Sequence, residues 1–202
     1  YLFHSIMILL MMGWTGGARA QSGTVAEEVI YTTDFTDWTE EINRKEANQV
    51  VVNKETEFGE AFSFTLNGVG IYPDAANFST IGYMQTAKYP NEYSAAKPSV
   101  VTSPLKSITQ IILHQAATGG ERGIKVSVKG DGDAGWVVLH DISIVKKAGE
   151  DLTLTVNRTN CQIKFENYSK GLNQNAYVTD LTILGNVEQK TEVTVWYYDT
   201  QG

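Results

Sequence analysis

Period-two alternation of apolar and polar residues dominates the chain after residue 100. Ile124, Val126 and Val128 alternate with Lys125, Ser127 and Lys129. Leu152, Leu154 and Val156 alternate with threonines, and Cys161, Ile163 and Phe165 alternate with Gln162, Lys164 and Glu166. A strand with one dry and one wet face has this pattern, because successive side chains point to opposite sides of a sheet. Turn chemistry separates the runs: Thr118-Gly119-Gly120, Gly130-Asp131-Gly132-Asp133, Ala148-Gly149-Glu150 and Asn157–Asn160. Further strands are predicted near 29–35, 49–53, 61–66, 80–86, 99–102, 106–115, 136–145 and 175–184. Many short strands at regular spacing predict an all-β fold, an antiparallel jelly-roll β-sandwich. Only Thr39–Gln49 has the pattern of a short helix, with Trp38, Ile42 and Ala47 on its apolar side. Ile71–Lys97 is irregular, holds Pro73 and Pro90 and is rich in tyrosine. It reads as long loops around one short strand.

The start of the chain has a different pattern. Ile6–Met12 is an unbroken apolar run, followed by Gly13-Trp14-Thr15-Gly16-Gly17 and then Ala18-Arg19-Ala20. A short apolar core followed by small residues in an A-x-A arrangement is what signal peptidase reads. The run is too short to span a bilayer, which takes roughly 20 apolar residues. We therefore expect residues 1–20 to be a signal peptide, with a mature start at Gln21 and a secreted, periplasmic or cell-surface location. The chain begins with Tyr1 rather than Met, so the basic start of the signal is expected to lie upstream. At the other end, residues 189–202 open a new strand and stop at a turn, as a linker strand or a following domain would. Between them, 21–188 are expected to form one sandwich domain.

Charge and cysteine content narrow the function classes. Arg19 is the one charged residue of the leader, so its removal leaves 15 basic against 23 acidic residues and a net charge of −8. That disfavours nucleic acid as a partner, since phosphate binding needs a basic footprint. The only cysteine, Cys161, cannot form an internal bridge, and its place in an alternating run makes it a buried small hydrophobe. Export without disulfides points to a bacterium.

The search for catalytic motifs is mostly negative. His114 and His140 have no metal-ligand neighbour at HxH or HxxH spacing, and no G-x-S-x-G elbow occurs. Ser94-Ala-Ala-Lys97 and Ser103-Pro-Leu-Lys106 match S-x-x-K by letter alone. Gly130–Gly135 has the look of a calcium loop, but Ile142 stands where the bidentate acid is required, so a hairpin turn is the reading adopted. Asp34 in an early strand and Asp180 in the last one are the stronger candidates for a structural calcium ion, because a jelly roll commonly makes such strands neighbours. Tyr72, Tyr83, Tyr89 and Tyr93 with Phe78 supply aromatic faces that can stack on sugar rings. Over residues 97–129, Lys97, Lys106, Arg122, Lys125 and Lys129 face only Glu121, a local charge of +4. Arg122 is able to grip a carboxylate bidentately, and Trp136 serves either as a core anchor or as a platform.

Four segments occur in a telling order: Pro104–Ile111, Ala117–Gly123, Lys129–Trp136 and Asn175–Asn186. Together they resemble an accessory β-sandwich of secreted Bacteroidetes polysaccharide-degrading proteins, notably pectate lyase-like ones, over about residues 28–187. The resemblance implies a galactose-binding-like jelly roll attached to a catalytic domain in a longer chain. It further implies that plant cell-wall polysaccharide of the pectin type is the partner. Thr33–Trp38 is similar to the opening of calcium-containing carbohydrate-binding sandwiches, which implies Asp34 and Asp180 as metal ligands. The expected function is thus a non-catalytic carbohydrate-binding module, with Arg122, Lys125, Trp136 and Tyr83 as its contact set. Two alternatives stand beside it: a spacer domain with no ligand, and a segment of the lyase itself, using Arg122 with His114 or His140.

Overall fold

The computed structural model describes residues 25–38, 42, 48–73, 83–86, 98–116, 122–141, 149–169 and 176–188. By its contacts the chain divides into a compact unit, Ala26–Val187, and a second comprising Tyr1–Val25 and Glu188–Gly202. Of the second, only Val25 and Glu188 are described. The described residues hold eleven strands and no helix: β1 (Val25–Thr33), β2 (Asn48–Glu55), β3 (Ala61–Asn67), β4 (Val69–Tyr72), β5 (Tyr83–Thr86), β6 (Ser99–Thr102), β7 (Leu105–Ala116), β8 (Arg122–Lys129), β9 (Val137–His140), β10 (Glu150–Ser169) and β11 (Tyr177–Glu188). The fold is the antiparallel β-sandwich that the alternation predicts.

One sheet runs β10-β7-β11-β5-β4, with β1 also on β11; the other runs β2-β3-β6-β10-β8-β9. Strand β10 belongs to both. Its first part pairs with β7 from Glu150↔Gln115 to Cys161↔Leu105, and its second with β8 from Gln162↔Lys129 to Ser169↔Arg122. The change of partner is prepared by a bulge between Thr155 and Arg158, with Asn157 at φ 51° and Asn160 at φ 46°. Asparagine tolerates this left-handed region better than other side chains do. The sequence expectation of a turn at Asn157–Asn160, separating two strands, is therefore corrected. The same residues bend one long strand from the first sheet into the second.

Three other expectations change. Ile42 makes an isolated antiparallel bridge with Ile71 and β2 starts at Asn48, which leaves no helix among the described residues of 39–49. Strand β4 extends the sheet through Ile71 to Tyr72, into the stretch expected to be loop. Strand β1 ends at Thr33 rather than near 35, because Phe35 takes φ 66°. There the Thr33 hydroxyl accepts the Phe35 N–H at 2.8 Å, and the Asp34 carboxylate accepts the Thr36 N–H at 3.0 Å. These local bonds turn the chain.

The core lies where the alternation puts it. Phe64, Leu66, Val100, Val126, Ile163 and Phe165 from the second sheet join Ile108, Ile111, Leu113, Leu181 and Ile183 from the first in one apolar cluster. Each such burial contributes about 1.5–3 kcal/mol. Tyr31, Phe62, Phe64, Trp38 and Phe35 form a chain of tilted and edge contacts, with centroids 5.0–5.8 Å apart. Trp38, which the pattern placed on a helix, is a buried member of that chain, with the Lys54 ammonium 4.3 Å from its ring centroid. Cys161 is buried, as its alternation predicts.

Candidate functional site

The hairpin β8–β9 positions the site. The Asp133 carboxylate accepts the Gly130 N–H at 2.9 Å, and Gly132 takes φ 82°, closing a tight turn over Gly130–Gly135. This turn is tied to the bulge of β10. The Arg158 Nε donates to Asp133 at 3.2 Å, the Asp131 N–H donates to the Thr159 carbonyl at 3.0 Å, and Asn160 Nδ2 donates to the Asp131 carboxylate at 3.2 Å. The Gly130 N–H, helped by Arg158, holds the Asp133 carboxyl below the usual carboxylate range. The hairpin expected from the sequence is present, and both its acids are engaged by protein donors.

Trp136 emerges from this turn. On β8, Val126 and Val128 point into the core, which directs Lys125, Ser127 and Lys129 to the wet face of the second sheet. The same alternation directs Gln162, Lys164 and Glu166 of β10 to that face. Pairing aligns a row across the whole sheet: Val51↔Thr65, Thr65↔Val101, Val101↔Lys164, Lys164↔Ser127 and Ser127↔Val138. Trp136 is 36% exposed and Val138 44%. The Lys164 ammonium lies 4.6 Å from the Trp136 ring centroid and 3.1 Å from the Glu166 carboxylate. A cation over an aromatic face is attracted by the ring quadrupole.

The contact set read from the sequence is divided by this geometry. Lys125 and Trp136 sit on neighbouring strand and turn of the same hairpin, with Lys125 paired to Asp141 at 3.3 Å. Arg122 opens β8 opposite Ser169, and its side chain lies outside the described residues. Tyr83 opens β5 opposite Tyr72, in the first sheet rather than the second; its side chain too lies outside the described residues. Lys106 is bonded to Glu60. The +4 stretch of the sequence is thus partly neutralised in space by Glu60, just before β3, and Asp141, just after β9. Tyr89, Tyr93, Phe78 and Lys97 lie outside the described residues. Lys164 and Ser127 were not singled out by the sequence, which shows their alternation but not their neighbours.

Asp180 lies on β11 and Asp34 directly follows β1, which pairs with β11; Thr32 and Thr182 share a hydroxyl contact of 2.9 Å. The Asp34 carboxyl is held below its ordinary range chiefly by the Thr36 hydroxyl, and Asp180 accepts from Thr179 at 3.1 Å. Calcium takes six to eight oxygens. Among the described residues no group of three or more His, Cys, Asp or Glu is gathered to hold an ion. Backbone carbonyls and water would therefore have to complete the shell.

Polar groups also gather at one end of the sandwich. Buried Gln115 accepts the Ile124 N–H at 3.0 Å through its side-chain oxygen, and its nitrogen donates to Glu150 at 3.2 Å. His140 Nε2 is 3.5 Å from the same nitrogen. His114 Nδ1 is 2.6 Å from the Asp151 carboxylate. The Cys161 thiol is pushed up to about 11 by burial, far from the thiolate that nucleophilic work needs. Among the described residues no helix is long and apolar enough to cross a membrane.

No protein-family model matches the sequence, and no curated protein matches it. Among solved structures, the chain is similar to the K2 cleaved adhesin domain of Lys-gingipain, with 10% identity and a TM-score of 0.46 over 78% of this chain and 99% of that one. It is similar to an Arthrobacter globiformis T6 isomalto-dextranase complexed with panose, with 12% identity and a TM-score of 0.39 over 80% of this chain and 33% of that one. A third is TmCBM61 in complex with β-1,4-galactotriose, with 7% identity and a TM-score of 0.25 over 84% of this chain and 90% of that one. Likenesses of this size assign neither ligand nor activity to the chain.

Proposed function

We propose that the domain is a non-catalytic carbohydrate-binding module, which holds an exported polysaccharide-degrading enzyme of the same longer chain near an acidic plant cell-wall polymer. The observation that carries the proposal is Trp136, exposed beside the turn of a hairpin that also bears Lys125 and Lys129, on the wet face of a six-stranded sheet. An aromatic ring at the rim of a polar sheet offers stacking to sugar C–H faces, and the ammonium groups on the same face offer hydrogen bonds to hydroxyl or carboxylate oxygens. A bacterial secreted or cell-surface setting, of the Bacteroidetes kind, belongs to the same proposal and rests on the leader pattern and the resemblance. The test is native affinity electrophoresis of the chain in gels containing pectin, polygalacturonate, galactan or xylan. Retardation in at least one gel is expected, and uniform mobility in all of them defeats the proposal.

A structural calcium ion at Asp34 and Asp180 is a second element of the proposal, supported by the pairing of β1 with β11. Melting the chain with and without EDTA tests it. A fall in Tm on chelation, restored by calcium, is the expected result, whereas an unchanged Tm removes the ion.

A further inference from the structure

Ser127 presents a contradiction on the wet face. Its neighbours in β8 fix its direction: Val126 and Val128 are core residues, and its cross-strand partners Lys164 and Val138 both point outward. An outward serine on a sheet is ordinarily hydrated, yet Ser127 is only 1% exposed and its hydroxyl finds no hydrogen-bond partner. Trp136 stands beside β9 and Lys164 stands on β10, two strands away across β8, a span of roughly 10 Å. Their contact at 4.6 Å from the ring centroid must therefore pass over β8. Ser127, directly opposite Lys164, is the small residue that lets it do so. A buried hydroxyl without a partner is costly and awaits an acceptor.

We infer that Ser127, Lys164 and Trp136 form a subsite for a carboxylated sugar, closed in this structure by the lysine lying on the indole. The inference rests on the carbohydrate-binding reading above and names its ligand class. Charge favours that class: on this face Lys125 is paired with Asp141 and Lys164 with Glu166, which leaves Lys129 as one cation in excess in a chain of net charge −7. When a uronate enters, its ring takes the lysine's place against Trp136. The Lys164 ammonium turns from the ring and from Glu166 to the uronate carboxylate, and the Ser127 hydroxyl donates its hydrogen to a carboxylate oxygen. No bond is made or broken. Hydrogen bonds to a charged group are about twice as strong as neutral ones, which is why a carboxylate satisfies this serine better than a hydroxyl would.

The experiment compares the full chain with its Ser127→Ala and Lys164→Gln variants. Each is run in affinity gels of polygalacturonate, its methyl ester and a neutral galactan, with melting curves in parallel. Ser127→Ala is expected to bind polygalacturonate about tenfold more weakly while melting at or above the wild-type temperature, because the deleted hydroxyl had no partner to lose. Lys164→Gln should weaken polygalacturonate by about tenfold as well. Wild type should prefer the free acid to the methyl ester. A wild-type chain retained by polygalacturonate that neither substitution affects overturns the subsite alone. So does equal retention by ester and acid. A wild-type chain retained by no polymer overturns both the subsite and the reading beneath it.

Discussion

Gly130 and Gly135 sit five residues apart in one hairpin turn and give opposite predictions. A methyl group on Gly130 would lie 2.9 Å from Arg158 Cβ and 2.9 Å from the Thr159 carbonyl oxygen. Carbon atoms rest about 3.5–4.0 Å apart, so the turn would have to retreat from the β10 bulge by roughly 0.6–1 Å. Neither obstacle is the free end of a flexible side chain. The retreat also stretches the Asp131 N–H bond to Thr159, now 3.0 Å. Overpacking costs about 1–3 kcal/mol, and a weakened hydrogen bond adds about 1 kcal/mol. Gly130→Ala should thus destabilise by about 2–4 kcal/mol. With a urea dependence of about 2 kcal/mol per molar, the unfolding midpoint falls by roughly 1–2 M. A methyl on Gly135 meets nothing within 4 Å, and Gly135→Ala should stay within about 0.5 kcal/mol of wild type. Urea unfolding of both variants, followed by far-UV circular dichroism, is the assay. Equal midpoints, or a greater loss in Gly135→Ala, would refute the packing of the turn on the bulge.

The same turn sets a pH dependence. The Asp133 pKa is depressed in the folded chain by the Gly130 N–H, so the carboxylate contributes stability above the ordinary carboxylate range and loses it as pH falls through the folded pKa. The stability gap between wild type and Asp133→Asn is therefore widest near neutral pH and closes on acidification, as urea midpoints across the acid range will show. A gap that stays constant or widens contradicts this. Cys161 is fully buried with a raised pKa, so a thiol reagent should label it only in urea; complete labelling of the native chain within minutes is the contrary result.

The strands that alternate cleanly were legible in the sequence because one face of each is dry: Ile124–Val128, Leu152–Val156 and Cys161–Phe165 all lie in strands facing the core. In sequence the run Asn157–Asn160 reads as a turn because a turn and a bulge make the same demand, a residue tolerant of positive φ; only the pairing partner distinguishes them. Strand β4 escaped notice because it is four residues long, lies between Gly68 and Pro73 and contains Gly70, all of which signal irregularity. Of the candidate site, Trp136 is visible as an aromatic just after a turn and Lys125 as a cation in an alternating basic run. Lys164 and Ser127 are not, since register across three strands decides what they meet, and no local pattern encodes it. The unpartnered state of the Ser127 hydroxyl is likewise a property of the assembled sheet.

Sugar binding on the wet face of the second sheet is tested most directly by amide NMR spectra recorded during titration with short oligogalacturonides. The largest shifts should fall on Ser127, Val138, Lys164 and the indole N–H of Trp136. Shifts confined to β4, β5 and β11 of the other sheet, or none at saturating sugar, would contradict it.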